Sequence, residues 1–282
     1  MLLDSLDRRL NIKGLTSEPA QKRTEVPFDP NRDISEQEWT LLSRFMREHL
    51  ESNIPHRDFY SSAANFYQLD PRRWNSLGLN DFFREKAINS YRLPKTGAAF
   101  WPPLIARGAQ LRIIAPDHID DLFSYPDSLQ GDFKKMRTSF KRNQGMSITV
   151  AEEYTIFFGK RDPSVYPDNT YVQLLNLCLA DRDNPRRFAK SASRLRIVFP
   201  EHFDKLQLGK DDLRGMKKEL DGLRPGSRGF MDQDTFLDLA RNMYLLAAQE
   251  VTVSDKGVQI IPFKEEINLE PTAILLPEQR RF

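Results

Sequence analysis

Four histidines, His49, His56, His118 and His202, and one cysteine, Cys178, are the chain's only imidazole and thiol donors. They form no HExxH pair and no tight His and Cys cluster, so the ligand spacing of a zinc site is missing. His118 and His202 each lie just after a proline in matching surroundings, which predicts a structural role in the turn, by capping or by bonding nearby backbone. Asp117, Asp120, Glu201 and Asp204 recur with the same unit. Acid–base catalysis needs one asymmetric constellation with opposed proton affinities, and carboxylates repeated in each copy do not supply it; they are expected to cap the link between helices. The phosphate and nucleophile signatures GxxxxGK[ST], GxGxxG and GxSxG do not occur in the sequence. No catalytic, cofactor-binding or metal-binding residue is assigned on this basis, no cofactor is expected, and the chain reads as a non-enzyme.

Two basic stretches carry the remaining chemistry. Lys134, Lys135, Arg137, Lys141 and Arg142 form one; Arg182, Arg186, Arg187, Lys190, Arg194 and Arg196 form the other. Aligned on one helical surface, Lys134, Lys135, Arg137, Lys141, Arg142, Arg186, Arg187, Lys190 and Arg194 would contact a nucleic-acid backbone or an acidic partner by charge, with strong salt dependence. The plainer alternative is a solvated surface balanced by neighbouring acids. Overall, 42 Lys and Arg stand against 40 Asp and Glu, a formal charge of +2, so any such role rests on a local patch.

The elements that would position these residues repeat. Arg112-Ile113-Ile114-Ala115-Pro116-Asp117-His118-Ile119-Asp120-Asp121-Leu122 lies over Arg196-Ile197-Val198-Phe199-Pro200-Glu201-His202-Phe203-Asp204-Lys205-Leu206 without a gap. A fainter copy surrounds Pro71 and Leu77, and a decayed one runs from Asp212 through the helical pattern Phe236–Ala247. Pro71, Pro116 and Pro200 each end a helix, because proline lacks a donor and restricts the residue before it. Leu77, Leu122 and Leu206, six residues later, are expected to plug the turn. Small residues Ala63, Ala64, Ala109 and Ala192 would let neighbouring helices approach closely. Each copy reads as two helices and a short link whose apolar stripes need a neighbour.

The expected fold is all-α: an array of degenerate helical-hairpin repeats of about 45 residues each, with a small C-terminal β-hairpin over residues 250–262. Residues 1–33 read as an extended or partly disordered lead-in, 34–263 as one helical repeat domain, and 264–282 as a tail. An insertion interrupts the array at about 144–183, with Thr149–Phe158 a strand or a short helix and 170–180 an apolar helix. Ser35 with Glu38 forms a capping box that opens the first helix. Hydrophobic residues make up 39% of the chain, enough for a core, and no apolar run is long enough to span a membrane. Cys178 is expected buried and inert, and an intracellular reducing compartment such as the cytoplasm fits a lone thiol.

Function is expected to follow from architecture. Stacked hairpins expose a continuous surface, which favours a structural or adaptor protein with a protein partner; the oligomeric state is left open. A nucleic-acid binder using the basic surface is the alternative, and an enzyme with a pocket built by the 144–183 insertion is the second.

Overall fold

The computed structural model describes residues 28–51, 59–89, 101–119, 148–161, 166, 170–224 and 232–263. These are mostly helical: α1 (Pro30–Asp33), α2 (Glu36–Glu51), α3 (Phe59–Leu69), α4 (Pro71–Ser76), α5 (Asn80–Asn89), α6 (Trp101–Ile114), α7 (Ile148–Phe158), α8 (Thr170–Asp181), α9 (Pro185–Val198), α10 (Lys210–Gly222) and α11 (Gln233–Ala247). Strands β1 (Glu250–Ser254) and β2 (Gly257–Ile261) follow as one antiparallel hairpin.

Local chemistry sets the helix starts. Ser35 and Glu38 form the expected capping box, the Ser35 N–H donating to Glu38 Oε2 at 2.7 Å and the Glu38 N–H to Ser35 Oγ at 3.3 Å. Pro30, Pro71 and Pro185 each open a helix after an Asp or Asn cap, where the missing proline donor costs nothing. Helices α6 and α9 end alike. Ala115 (φ −140°, ψ 68°) and Phe199 (φ −133°, ψ 66°) break them in the same conformation, and a 3₁₀ turn starts at the proline that follows.

Five of these helices close on themselves. α3 packs on α6, α6 on α7, α7 on α9, α9 on α11, and α11 returns to α3. Side-chain registers show that they run in the same direction. Along α9 and α11, Lys190 meets Asp238, Ser193 meets Asn242 and Arg196 meets the Leu245 carbonyl. Along α3 and α11, Ser62 bonds Asp234 and Gln68 bonds Arg241. At the far end, Arg112 reaches the Phe157 carbonyl and Arg161 the Ile197 carbonyl. Parallel neighbours require the chain to travel back between them, and the return helices lie outside: α5 on α6, α8 on α9, and α10 against both α9 and α11. Trp39 of α2 covers α3, its ring edge-on to Phe66 at 5.3 Å. Ala63, Ala64, Ala109, Ala151, Ala189, Ala192 and Ala240 are buried, which is what close approach of helices demands.

The hairpin seals the C-terminal end of the ring. β1 rests on α7 and α9, and β2 on α6 and α7. Gly159 (φ +62°) and Gly257 (φ +89°) make this contact fit, since a Cβ would stand 2.6 Å from the Ser254 carbonyl oxygen and 2.7 Å from that of Arg112. Buried arginines satisfy carbonyls that helix ends leave open. Arg196 donates to the carbonyls of Leu245, Leu246, Ala248 and Gln249, and Arg112 to those of Phe157 and Asp255.

Several expectations change. The described part of residues 144–183 supplies α7, a member of the ring, and α8 outside it. Thr149–Phe158 is helical. His118 lies against the Arg84 guanidinium and His202 stacks on Tyr171 at 4.4 Å, so neither is fixed by nearby backbone alone. Asp117, Glu201 and Asp204 are exposed and the 3₁₀ turns carry no side-chain cap; Asp70 is the residue that caps, for α4. Part of the lead-in is ordered as α1. Leu206 is buried as expected and Leu77 is half-buried against the core. Asp120, Leu122 and the stretch from Lys134 to Arg142 lie outside the described residues, as do 1–27 and 264–282.

Candidate functional site: an axial polar cavity

A ring of parallel helices has an axis, and here the axis is polar. A cavity of about 190 Å³ is lined from all five helices: Ser61 and Asn65 of α3, Ala106, Ala109 and Gln110 of α6, Glu152 and Glu153 of α7, Lys190 and Arg194 of α9, and Asp238, Arg241 and Asn242 of α11. It shares Ser61, Asn65, Lys190 and Asp238 with a wider mouth of about 760 Å³ at the helix N-termini, rimmed by Arg186, Arg187, Asp232 and Asp234. Both small and polar residues are needed for this. Ala109 and Ala106 leave the space, and the long side chains reach into it.

Arg241 organises the floor. Its Nη2 donates to Glu152 Oε1 at 2.9 Å, its Nε to Gln68 Oε1 at 2.8 Å and its Nη1 to Asn242 Oδ1 at 3.0 Å. Arg194 Nε donates to the other Glu152 oxygen at 3.0 Å, so that carboxylate sits between two guanidiniums. Ser193 Oγ also donates to Asn242 Oδ1, at 2.8 Å. Those contacts fix both amide orientations and leave the Asn242 NH₂ buried without a partner, at a residue 1% exposed and out of reach of the cavity's open space. Gln110 donates to Ser61 Oγ at 2.9 Å and Lys190 Nζ to Asp238 Oδ2 at 3.2 Å.

Two adjacent carboxyls in this wall have opposed proton affinities. Burial raises Glu152, but the charges of Arg241 and Arg194 outweigh it and hold the carboxyl below the usual range. Burial and the neighbouring Glu152 charge push Glu153 up to about 7, with Arg194, Arg107 and Lys190 opposing the rise. Glu153 makes no ion pair among the described residues and faces the cavity. One carboxyl is therefore a fixed charge and the other a group that exchanges its proton near neutrality, which is the division of labour acid–base chemistry uses.

The basic residues read from sequence separate. Arg186, Arg187 and Lys190 are exposed at the mouth. Arg194 turns into the ring to hold Glu152, Arg196 is buried against carbonyls, and Arg182 pairs with Asp212 at 2.6 Å. Burial drives the Cys178 thiol up to about 12, and it is inert as expected. Sequence reasoning missed Glu152, Glu153, Arg241 and Asn242; the signal was weak, since each lies in a different or unmatched part of its helix. Among the described residues there is no group of three or more His, Cys, Asp and Glu side chains placed to hold a metal ion, and no helix long and apolar enough to cross a membrane.

No family model, curated protein or solved structure matches this chain.

Proposed function

We propose that the protein binds a small polar molecule in its axial cavity and acts on it by proton transfer through Glu153. One observation carries this reading: side chains from five helices converge on one cavity whose wall sets the Arg194 guanidinium and the Lys190 ammonium beside a carboxyl titrating near neutrality. The reading extends the expectation of a pocket built with residues 144–183, since α7 contributes both glutamates.

The array construction belongs to the same proposal. We take the ring helices α3, α6, α7, α9 and α11, with their outer partners, as successive copies of one hairpin unit, supported by the shared Arg112/Arg196 role and the equal backbone break at Ala115 and Phe199. An adaptor would use the open face of such an array. Closure of the ring turns that face inward, which supports a ligand site over a broad protein-binding groove.

The test is a polar fragment screen by saturation-transfer NMR on the full chain. Fragments are expected to bind the wild type, with affinity that changes around pH 7, and to be lost in Ala106→Trp, which fills the cavity. Binding retained at full strength in that variant, or absent in the wild type, would overturn the proposal.

A further inference from the structure

The hydrogen-bonding and charge content of the cavity wall specifies its ligand more narrowly. Arg194 uses Nε on Glu152 and has no other partner among the described residues, leaving its two terminal nitrogens as donors. Lys190 has three N–H bonds and spends one on Asp238. The Ser61 hydroxyl, already accepting from Gln110, is left to donate. Donors are in excess. Charge points the same way: Lys190, Arg194 and Arg241 stand against Glu152 and Asp238, with Glu153 the group that changes. When Glu153 is protonated, one negative charge is missing from the wall. Three of the parallel helices add to this, because the N-termini of α3, α9 and α11, the positive ends of their dipoles, lie at the mouth.

We infer that the ligand is a small monocarboxylate, bound by Arg194, Lys190 and Ser61. The inference rests on the cavity being the functional site. A single carboxylate accepts from several donors at once and supplies the missing charge; a neutral polyol would leave donors unmatched, and a dianion would overshoot. The volume of about 190 Å³ takes the carboxylate end of the ligand, and anything longer extends into the wider mouth that shares Ser61, Asn65, Lys190 and Asp238. Glu153 then becomes the linked proton site. It faces Glu152 on its own helix, Arg107 of α6, Lys190 and Arg194 of α9, and Asp238 and Arg241 of α11. A second negative charge arriving beside it favours the protonated form, so carboxylate and proton bind together.

Isothermal titration of the full chain with acetate, glycolate and lactate, against oxalate, inorganic phosphate and glycerol, tests this at pH 6 and pH 8. The monocarboxylates are expected to bind more tightly than the other three at pH 6, to weaken by up to about tenfold per pH unit above 7, and to take up a proton at pH 8. Lys190→Met, at a solvent-exposed position that leaves the fold intact, should weaken them by about tenfold. Glu153→Gln should abolish the pH dependence and the proton uptake while binding persists. Tighter binding of phosphate, oxalate or glycerol, lost in Ala106→Trp, would overturn the carboxylate assignment and leave the cavity reading intact. Binding of none of these probes while polar fragments still bind in the cavity would overturn the assignment alone; failure of probes and fragments together would overturn both.

Discussion

Glu153 is a carboxyl whose proton affinity the fold raises, and this has a thermodynamic consequence of definite sign. Its proton affinity is raised in the folded chain, from 4.5 to about 7, so the folded state binds a proton that the unfolded state has released between those values. The contribution is fully present below about pH 4.5 and is lost as pH rises through 7. Its size is at most about 3 kcal/mol, and less where cavity water screens the carboxyl. Urea denaturation of wild type and Glu153→Gln should therefore diverge across this window, the variant lacking the downward slope; parallel curves would place Glu153 in ordinary solvent. Arg241 makes the opposite demonstration. It holds Glu152 and bonds both Gln68 and Asn242, so Arg241→Met leaves a buried carboxylate with one partner and the Gln68 amide unheld, and should cost about 3–5 kcal/mol in the same assay. Neither residue was legible in the sequence. Glu152 and Glu153 are adjacent, a spacing at which helical side chains normally diverge, and their partners come from positions 42 and 89 residues further on.

Elements were legible where their signals are local. The Ser35 and Glu38 box, the proline stops at 116 and 200, the apolar stripe of Phe236–Ala247 and the hairpin at 250–261 all depend on residues within a turn or two of each other, and each is present. α7 was ambiguous for a physical reason. Ala151, Glu152, Tyr154, Thr155, Ile156 and Phe157 are buried together, so the helix has no polar face to set a 3.6-residue period, and its β-branched residues mimic a strand. The hairpin's docking depends on a signal that composition hides, the left-handed backbone at Gly159. Gly159→Ala would place a Cβ 2.6 Å from the Ser254 carbonyl oxygen in an unfavourable conformation, and should destabilise the protein by about 1–3 kcal/mol. Gly222, where nothing lies within 4 Å of an added Cβ, is the control: its alanine variant should be neutral or slightly stabilising by thermal denaturation.

At the scale of the molecule, the helical character could be read but the closure of the helices into a ring could not, because closure depends on the small rotation between neighbours and not on any period in the sequence. An open array and a ring make different demands on their ends. In an open array each unit touches only its neighbours, so removing the last one leaves the rest folded. Here α11 bridges α9 and α3, and the bridge is specific: Asp234 takes the Ser62 hydroxyl, Arg241 takes Gln68, and Arg224, ahead of α11, takes Glu38 of α2 at 2.9 Å. Removing residues 225–282 would expose Phe236's side of α9, leave Glu152 without Arg241 and strip the carbonyl partners from Arg196. Loss of one element should then unmake the whole. The full chain is expected to melt in a single cooperative transition by far-ultraviolet circular dichroism and calorimetry, and the shortened chain to lose that transition and its near-ultraviolet signal. A shortened chain that melts cooperatively with a proportionally smaller enthalpy would show that the hairpins stand as an open stack, and the axial cavity would lose its fifth wall and its meaning as a site.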